Sequence, residues 1–159
     1  VNAYAASAFY AVDRYASFKK VWGEYYEQGG LILSDRYTTS NAVHQASKVH
    51  PFEQNNFLQW LYDFEYDKLG LPAPDLVIYL DVPIDFTEKM MRGREASTNT
   101  QADIHEQDMT YLATCREMGR AAAEYYGWSI INCVQDGAMR SIEDIHEEIY
   151  RLVRNSLED

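Results

Sequence analysis

Over residues 1–28 the apolar side chains Tyr4, Ala8, Val12, Tyr15, Trp22 and Tyr25 recur mostly at three- and four-residue steps, the period of a helix buried along one face. Gly29-Gly30 follows. Glycine just past a helix can turn left-handed without a Cβ clash, so the helix is expected to stop there. Leu31-Ile32-Leu33-Ser34-Asp35 is a short apolar run ending in an acid, too short for a helix, and it predicts a fully buried strand of a parallel sheet. The polar stretch 36–49 predicts the opening of another helix. Pro51 punctuates the chain, and Phe57, Leu58, Leu61, Tyr62, Phe64 and Leu69 then mark a helix within 52–69 that Gly70 closes.

Pro72 and Pro74 stiffen the connection to Leu76-Val77-Ile78-Tyr79-Leu80-Asp81-Val82, a second buried-strand candidate ended by Pro83. Residues 85–92 predict a helix with an acid in its first turn and cations in its last, the favourable sense for the helix dipole. A polar loop is expected over 92–102, then a helix over 103–126 through Met109, Leu112, Cys115 and Met118, closed by Gly127. Residues 128–132 form a third short apolar run. Ser141, with Asp144 three residues on, has the spacing of a helix cap, and Ile142, Ile145, Ile149 and Leu152 supply the buried stripe of a last helix. Strands alternating with helices predict an α/β domain with a parallel sheet. No repeat or linker divides the chain, so 1–159 reads as one domain.

Composition narrows the function. The 159 residues carry a formal net charge of -11, and 13 Tyr, 6 Phe and 3 Trp provide for a core. No apolar run is long enough to span a membrane. An acidic chain also lacks the wide positive field that coating a nucleic-acid polymer requires. Any anionic ligand must then meet a local cluster of cations. Cys115 and Cys133 lack the spacing of a zinc site or redox pair and read as buried thiols in a reducing cytosol. The first residues have neither the basic start nor the apolar stretch of a targeting signal, so a cytoplasmic location is expected.

Three arginine sites stand out. Asp35-Arg36-Tyr37 lies at the expected carboxyl end of a strand, where open parallel sheets bind ligands. There a carboxylate can hold hydrated Mg²⁺ and a guanidinium can grip phosphate oxygens, a pairing suited to phosphoryl transfer. A structural ion pair at a strand terminus is the alternative. Tyr10 and Arg14 are four apart on a helix, so a ring could stack on a base while a guanidinium bonds its carbonyl; a partly exposed surface pair is the alternative. Arg92-Gly93-Arg94 opens the polar loop, where two arginines could close over phosphates as a lid, or simply answer the dipole of a solvated helix end.

Together these residues resemble the thymidylate kinases of the P-loop nucleoside monophosphate kinase family, in order and over nearly the whole chain. Phe9-Tyr10-Ala11-Val12-Asp13-Arg14-Tyr15 is similar to the thymine-binding helix, which implies that Tyr10 stacks near the base, that Arg14 bonds it, and that Phe9 belongs to the same site. Leu31-Ile32-Leu33-Ser34-Asp35-Arg36-Tyr37, with Ser40, Asn41 and Gln45, resembles the strand and DRY signature. It implies Asp35 near Mg²⁺, through water, and the phosphates, Arg36 on the monophosphate, Ser40 and Asn41 near the base, and Tyr37 and Gln45 in the substrate site. His44 stands where the family usually carries an aromatic ring beside the deoxyribose, a departure that bears on exclusion of a 2′-hydroxyl. Pro74-Asp75-Leu76-Val77-Ile78-Tyr79-Leu80-Asp81-Val82-Pro83 resembles the strand before the lid.

The lid, over about 92–106, departs from the family's D-R-x-E motif by reading Asp103-Ile104-His105-Glu106, so its cation duty would pass to Arg92 and Arg94. Gly137, Ala138, Met139 and Arg140 occupy the place where the family binds the adenine of ATP. The resemblance implies a three-layer P-loop NTPase-type domain with helices on both faces of the sheet, a homodimer, and transfer of the γ-phosphoryl of ATP to dTMP with Mg²⁺. A deoxynucleoside kinase and a non-catalytic nucleotide-binding remnant are the other expectations. No GxxxxGK[ST] stretch occurs in the chain. The expectation is therefore that roughly fifty residues carrying the P-loop precede Val1, on the usual strand-helix-strand spacing, and that the 159 residues alone are inactive.

Overall fold

A computed structural model describes residues 2–98 and 106–158, with the side chains of 2–92 and 109–158. The chain divides into two compact units, Val1–Ala73 and Pro74–Asp159.

The first unit is helical among its described residues. Helix α1 (Ala3–Ser17) starts where the Asn2 side chain accepts the Ala5 amide at 2.8 Å. It runs through a π turn (Phe18–Trp22) into α2 (Gly23–Glu27), and Gly29, at φ 85°, stops it as expected. The buried face is not the aromatic stripe, however. It is the small-residue line Ala3, Ser7 and Ala11, continued by Phe18, while Tyr4, Val12, Tyr15 and Tyr25 stay exposed. Small side chains permit close backbone approach, and large apolar ones on the surface are common in proteins of this size.

The expected strand at 31–35 is absent. Residues 31–34 have no regular secondary structure and join no ladder, and Leu33 is 78% exposed. A buried strand needs neighbouring strands to take up its N–H and C=O groups, and none lies in this unit among the described residues. The predicted helix over 36–49 is confined to α3 (Thr39–His44) and a 3₁₀ turn (Ala46–Lys48). Helix α4 (Gln54–Tyr62) passes into a π segment (Asp63–Lys68) and ends at Gly70, φ 66°. Phe57, Leu58 and Leu61 of α4, with Ala42, Ala46 and Leu71, form the core of this unit.

The second unit carries the parallel sheet. Strand β1 (Ile78–Asp81) pairs in parallel with β2 (Ser129–Asn132), Ile78 opposite Ser129 and Asp81 opposite Asn132. Parallel strands require a long crossover, here α5 (Ile84–Thr98) and α6 (Glu106–Tyr126). Helix α5 runs on to Thr98, through the first part of the stretch expected to be a loop, and Glu88 and Arg92 pair across one of its turns. Helix α6 packs on β1 and β2 so closely that a Cβ on Gly119 would collide with the Tyr79 ring and hydroxyl. Cys115, Met118, Ala122, Ala123, Ile131 and Cys133 make the core, both thiols buried as expected. A short hairpin of β3 (Val134–Gln135) and β4 (Ala138–Met139), unforeseen in the hydrophobic pattern, turns through Asp136 and Gly137 at positive φ. The Ser141 hydroxyl then accepts the Asp144 amide at 3.0 Å and caps α7 (Ile142–Glu158).

Candidate functional site

A carboxylate taken wholly out of water is costly unless its oxygens are paired. Glu65, in the π segment after α4, is 0% exposed. Its Oε2 accepts Arg14 Nε at 2.8 Å and its Oε1 accepts Arg14 Nη2 at 2.5 Å, a bidentate fork between residues 51 apart. Asn41 of α3 donates through Nδ2 to the same Oε1 at 3.2 Å and to the Ser7 carbonyl at 3.4 Å. One buried carboxylate thus gathers three helical segments and brings together two residues, Arg14 and Asn41, that the sequence assigns to a base. The fork engages Nε and Nη2 of the guanidinium, two of its three nitrogens. The Ser7 hydroxyl beside this cluster is buried without a hydrogen-bond partner among the described residues.

Tyrosines border the cluster. Thr38 and Tyr66 share a short hydroxyl–hydroxyl hydrogen bond, and the Tyr37 hydroxyl donates to the Pro72 carbonyl at 3.1 Å. Burial pushes the Tyr66 phenol up to about 12, with the Thr38 hydrogen bond opposing and the Glu65 charge reinforcing. Burial also raises Tyr37, helped by Tyr66 and Glu65. Both rings therefore stay neutral at any physiological pH.

Asp35 and Arg36 stand exposed at the turn into α3. Arg36 holds φ at 67°, a left-handed backbone that costs a non-glycine residue about 1–2 kcal/mol, and the Ser34 hydroxyl donates to its carbonyl at 2.6 Å. An exposed carboxylate can meet hydrated Mg²⁺, which keeps several waters and takes only one or two carboxylates, while the neighbouring guanidinium suits phosphate oxygens. Among the described residues no group of three or more His, Cys, Asp or Glu is placed to hold a metal by itself. His44, half-buried at the end of α3, has its pKa lowered by burial and then by the Arg36 and Lys48 cations. Ser40 is half-buried, and buried Gln45 accepts Lys48 Nζ through Oε1 at 3.3 Å. Tyr10 lies one turn before Arg14 and is mostly exposed, and Phe9 points to solvent at 74% exposure.

In the second unit Asp81 closes β1 at 3% exposure. Arg116 donates to it from Nε at 2.7 Å and Nη2 at 3.0 Å, and Arg120 from Nη1 at 2.5 Å. Burial alone would raise this carboxyl, but the two arginines outweigh it and hold it below its ordinary value. Arg92 is exposed and bonded to Glu88 at 2.5 Å. The Arg94 side chain and residues 99–105, which include Asp103-Ile104-His105, lie outside what is described, and with them most side chains of the expected lid. Of the expected adenine segment, Gly137 is in the hairpin turn and Ala138 and Met139 form β4. Arg140 is committed elsewhere: it bonds Asp144 and Glu148, each at 2.6 Å, and the Asn132 carbonyl at 2.9 Å.

Glu65, Asp81, Arg116 and Arg120 lie outside the site residues that the sequence motifs mark. Glu65 did leave a signal: it falls four after Leu61 and eight after Phe57, on the buried stripe, where an acid demands a partner. No helix of the described residues is long and apolar enough to cross a membrane.

Comparison with known proteins gives one answer. The family model for thymidylate kinase matches residues 1–149. A thymidylate kinase of Mycobacterium tuberculosis (strain ATCC 25618 / H37Rv) is 31% identical over 108 residues, covering 67% of this chain and 50% of the relative. A probable thymidylate kinase of Thermococcus onnurineus (strain NA1) is 29% identical over 159 residues, covering 96% of this chain and 66% of the relative. A thymidylate kinase of Prochlorococcus marinus (strain NATL2A) is 24% identical over 146 residues, covering 92% and 64%. The chain thus spans between 50% and 66% of the length of these relatives.

Proposed function

The chain belongs to the thymidylate kinase family, whose fold is the α/β P-loop NTPase type, and from that premise we propose that the complete protein carrying it phosphorylates dTMP with ATP. A phosphate oxygen of dTMP forms a bond to the γ-phosphorus, the bond to the β,γ-bridging oxygen breaks, and ADP departs with that electron pair, leaving dTDP. The observation that carries this reading is the convergence of Arg14 and Asn41 on Glu65. It leaves a hydrogen-bond donor and an amide acceptor at one place, which suits the carbonyl and ring N–H of thymine.

In this reading Arg14 donates to the thymine carbonyl, Asn41 accepts from its N–H, and Tyr10 stacks on the ring, with Phe9, Tyr37, Ser40, His44 and Gln45 in the surrounding substrate site. Arg36 grips the monophosphate. Asp35 would hold Mg²⁺ through water, and the ion when bound neutralises charge on the donor phosphates. Arg92 and Arg94 serve the transferring group from a lid over about 92–106. Adenine contacts fall to the backbone of Gly137, Ala138 and Met139, since Arg140 is held by its own carboxylates. The P-loop belongs to a segment outside these residues, and the complete protein pairs as a homodimer through the exposed aromatic face of α1, in one cytoplasmic kinase domain.

Purified complete gene product is expected to form ADP from ATP in the presence of dTMP and Mg²⁺. Turnover with thymidine in place of dTMP would move the assignment to a deoxynucleoside kinase, and no turnover with either would leave only nucleotide binding.

A further inference from the structure

We propose that Glu65 is a positioning residue for base selection: it holds the Arg14 guanidinium by two donors and fixes which way the Asn41 amide faces. The inference rests on the reading above that the Arg14 and Asn41 pair meets a thymine.

The argument starts from what an amide can do. Asn41 presents two donors on nitrogen and an acceptor on oxygen, and a half-turn about its last bond exchanges them. Here both neighbours of the amide are acceptors only: the Glu65 carboxylate at 3.2 Å and the Ser7 carbonyl at 3.4 Å. Nitrogen must therefore face them, and Oδ1 is left as the group that reads a ligand. The same carboxylate takes Arg14 Nε and Nη2 at 2.8 and 2.5 Å, so one edge of the fork is fixed and the other is directed by it. Donor and acceptor are thereby set side by side in one polarity. Thymine offers a carbonyl acceptor beside a ring N–H donor and matches it. Cytosine offers an amino donor beside a ring acceptor and mismatches twice.

A neutral side chain of the same shape would not do this. Glutamine at 65 has one oxygen and a donating nitrogen, so it cannot accept the two Arg14 bonds on separate oxygens as the carboxylate does, and it weakens the hold on the Asn41 amide to the longer contact with the Ser7 carbonyl. The π segment Asp63–Lys68 matters as well, since the wider turn is where this acid enters the buried stripe, and such segments recur at functional sites.

The test is E65Q in the complete gene product, read by calorimetric binding of dTMP and dCMP, by KM for dTMP and for ATP, and by thermal midpoint. The expected result is a folded protein whose dTMP affinity falls about tenfold or more, as expected for charge-assisted hydrogen bonds lost. Its preference for dTMP over dCMP should fall by a similar factor, and KM for ATP should stay unchanged. Unaltered preference with affinity for dTMP and ATP falling together would assign Glu65 to general stability and overturn the proposal. Unaltered dTMP binding would overturn it outright. If E65Q does not fold, E65D keeps the charge but cannot reach both partners, and its preference is judged by the same outcomes. Wild-type protein that binds ATP but neither dTMP nor dCMP would instead defeat the thymidylate reading, and the proposal with it, whatever Glu65 does.

Discussion

Glu65 and Asp81 are both carboxylates withdrawn from water and both held by arginine, yet they are built for different ends. Asp81 sits at the end of a strand and receives Arg116 and Arg120, which stand one turn apart on a single helix and are 33% and 49% exposed. Two cations on one acid leave a net positive charge that solvent can screen, and the cluster pins α6 to β1. Glu65 receives one cation and one amide from two different helices, and Arg14 is 16% exposed. Its charge is balanced rather than exceeded, and water has little access to it. The lesson is that an ion pair within one packed helix and strand mainly fastens the fold. An ion pair that joins distant segments and leaves donors unspent can also orient them.

That contrast predicts a ranked set of effects. The largest is expected for Glu65→Ala, which strands a mostly buried guanidinium and opens space beneath it. A loss of about 4 kcal/mol in urea unfolding is expected, and a loss of only about 2 kcal/mol would put the two clusters on the same footing. Asp81→Asn should cost less, about 2 kcal/mol, because both arginines can turn toward water. Its unfolding transition is the measurement, and a cost exceeding that of Glu65→Ala would reverse the ranking.

Acid provides a third comparison. Asp81 is held below its ordinary 3.8, so its contribution is fully present above that pH and is lost as pH falls through the lower folded value. Stability measured from pH 5 downward (~1 unit above the ordinary carboxyl range) should decline in the wild type and decline less steeply in Asp81→Asn. The smallest effect concerns His44. Its folded pKa lies below the ordinary 6.5, so the folded protein resists protonation and loses stability as pH falls from 6.5 toward that lower value. His44→Gln should flatten this slope by less than about 1 kcal/mol, and Arg36→Gln should raise the His44 pKa, readable by NMR titration.

How much of this was legible depended on how local the cause was. Gly29, Gly70 and Gly127 were read as helix stops, and each takes positive φ. Ser141 was read as a cap, and its hydroxyl holds the Asp144 amide. The strands at 78–81 and 129–132 lie inside the apolar runs that predicted them. The run at Leu31 failed because a strand exists only through its neighbours, and apolar composition cannot supply one. The face of α1 was misjudged for a related reason: periodicity shows that a helix has an apolar stripe, but whether aromatics or small residues turn inward depends on what approaches.

At the site, Arg14 and Asn41 were named from their place in a recognisable order of residues, a property of the chain alone. Their convergence was not. Arg14 and Glu65 are 51 residues apart, and Asn41 and Glu65 are 24 apart. The amino-acid sequence by itself determined which segments can be helical, where they end, and which family the order of motifs resembles, since these follow from each residue's own conformational preferences and its near neighbours. Only the tertiary structure decided that an acid in a buried stripe would find its counter-charge on the first helix. Coulombic and hydrogen-bond energies depend on distance in space, and sequence separation does not encode it.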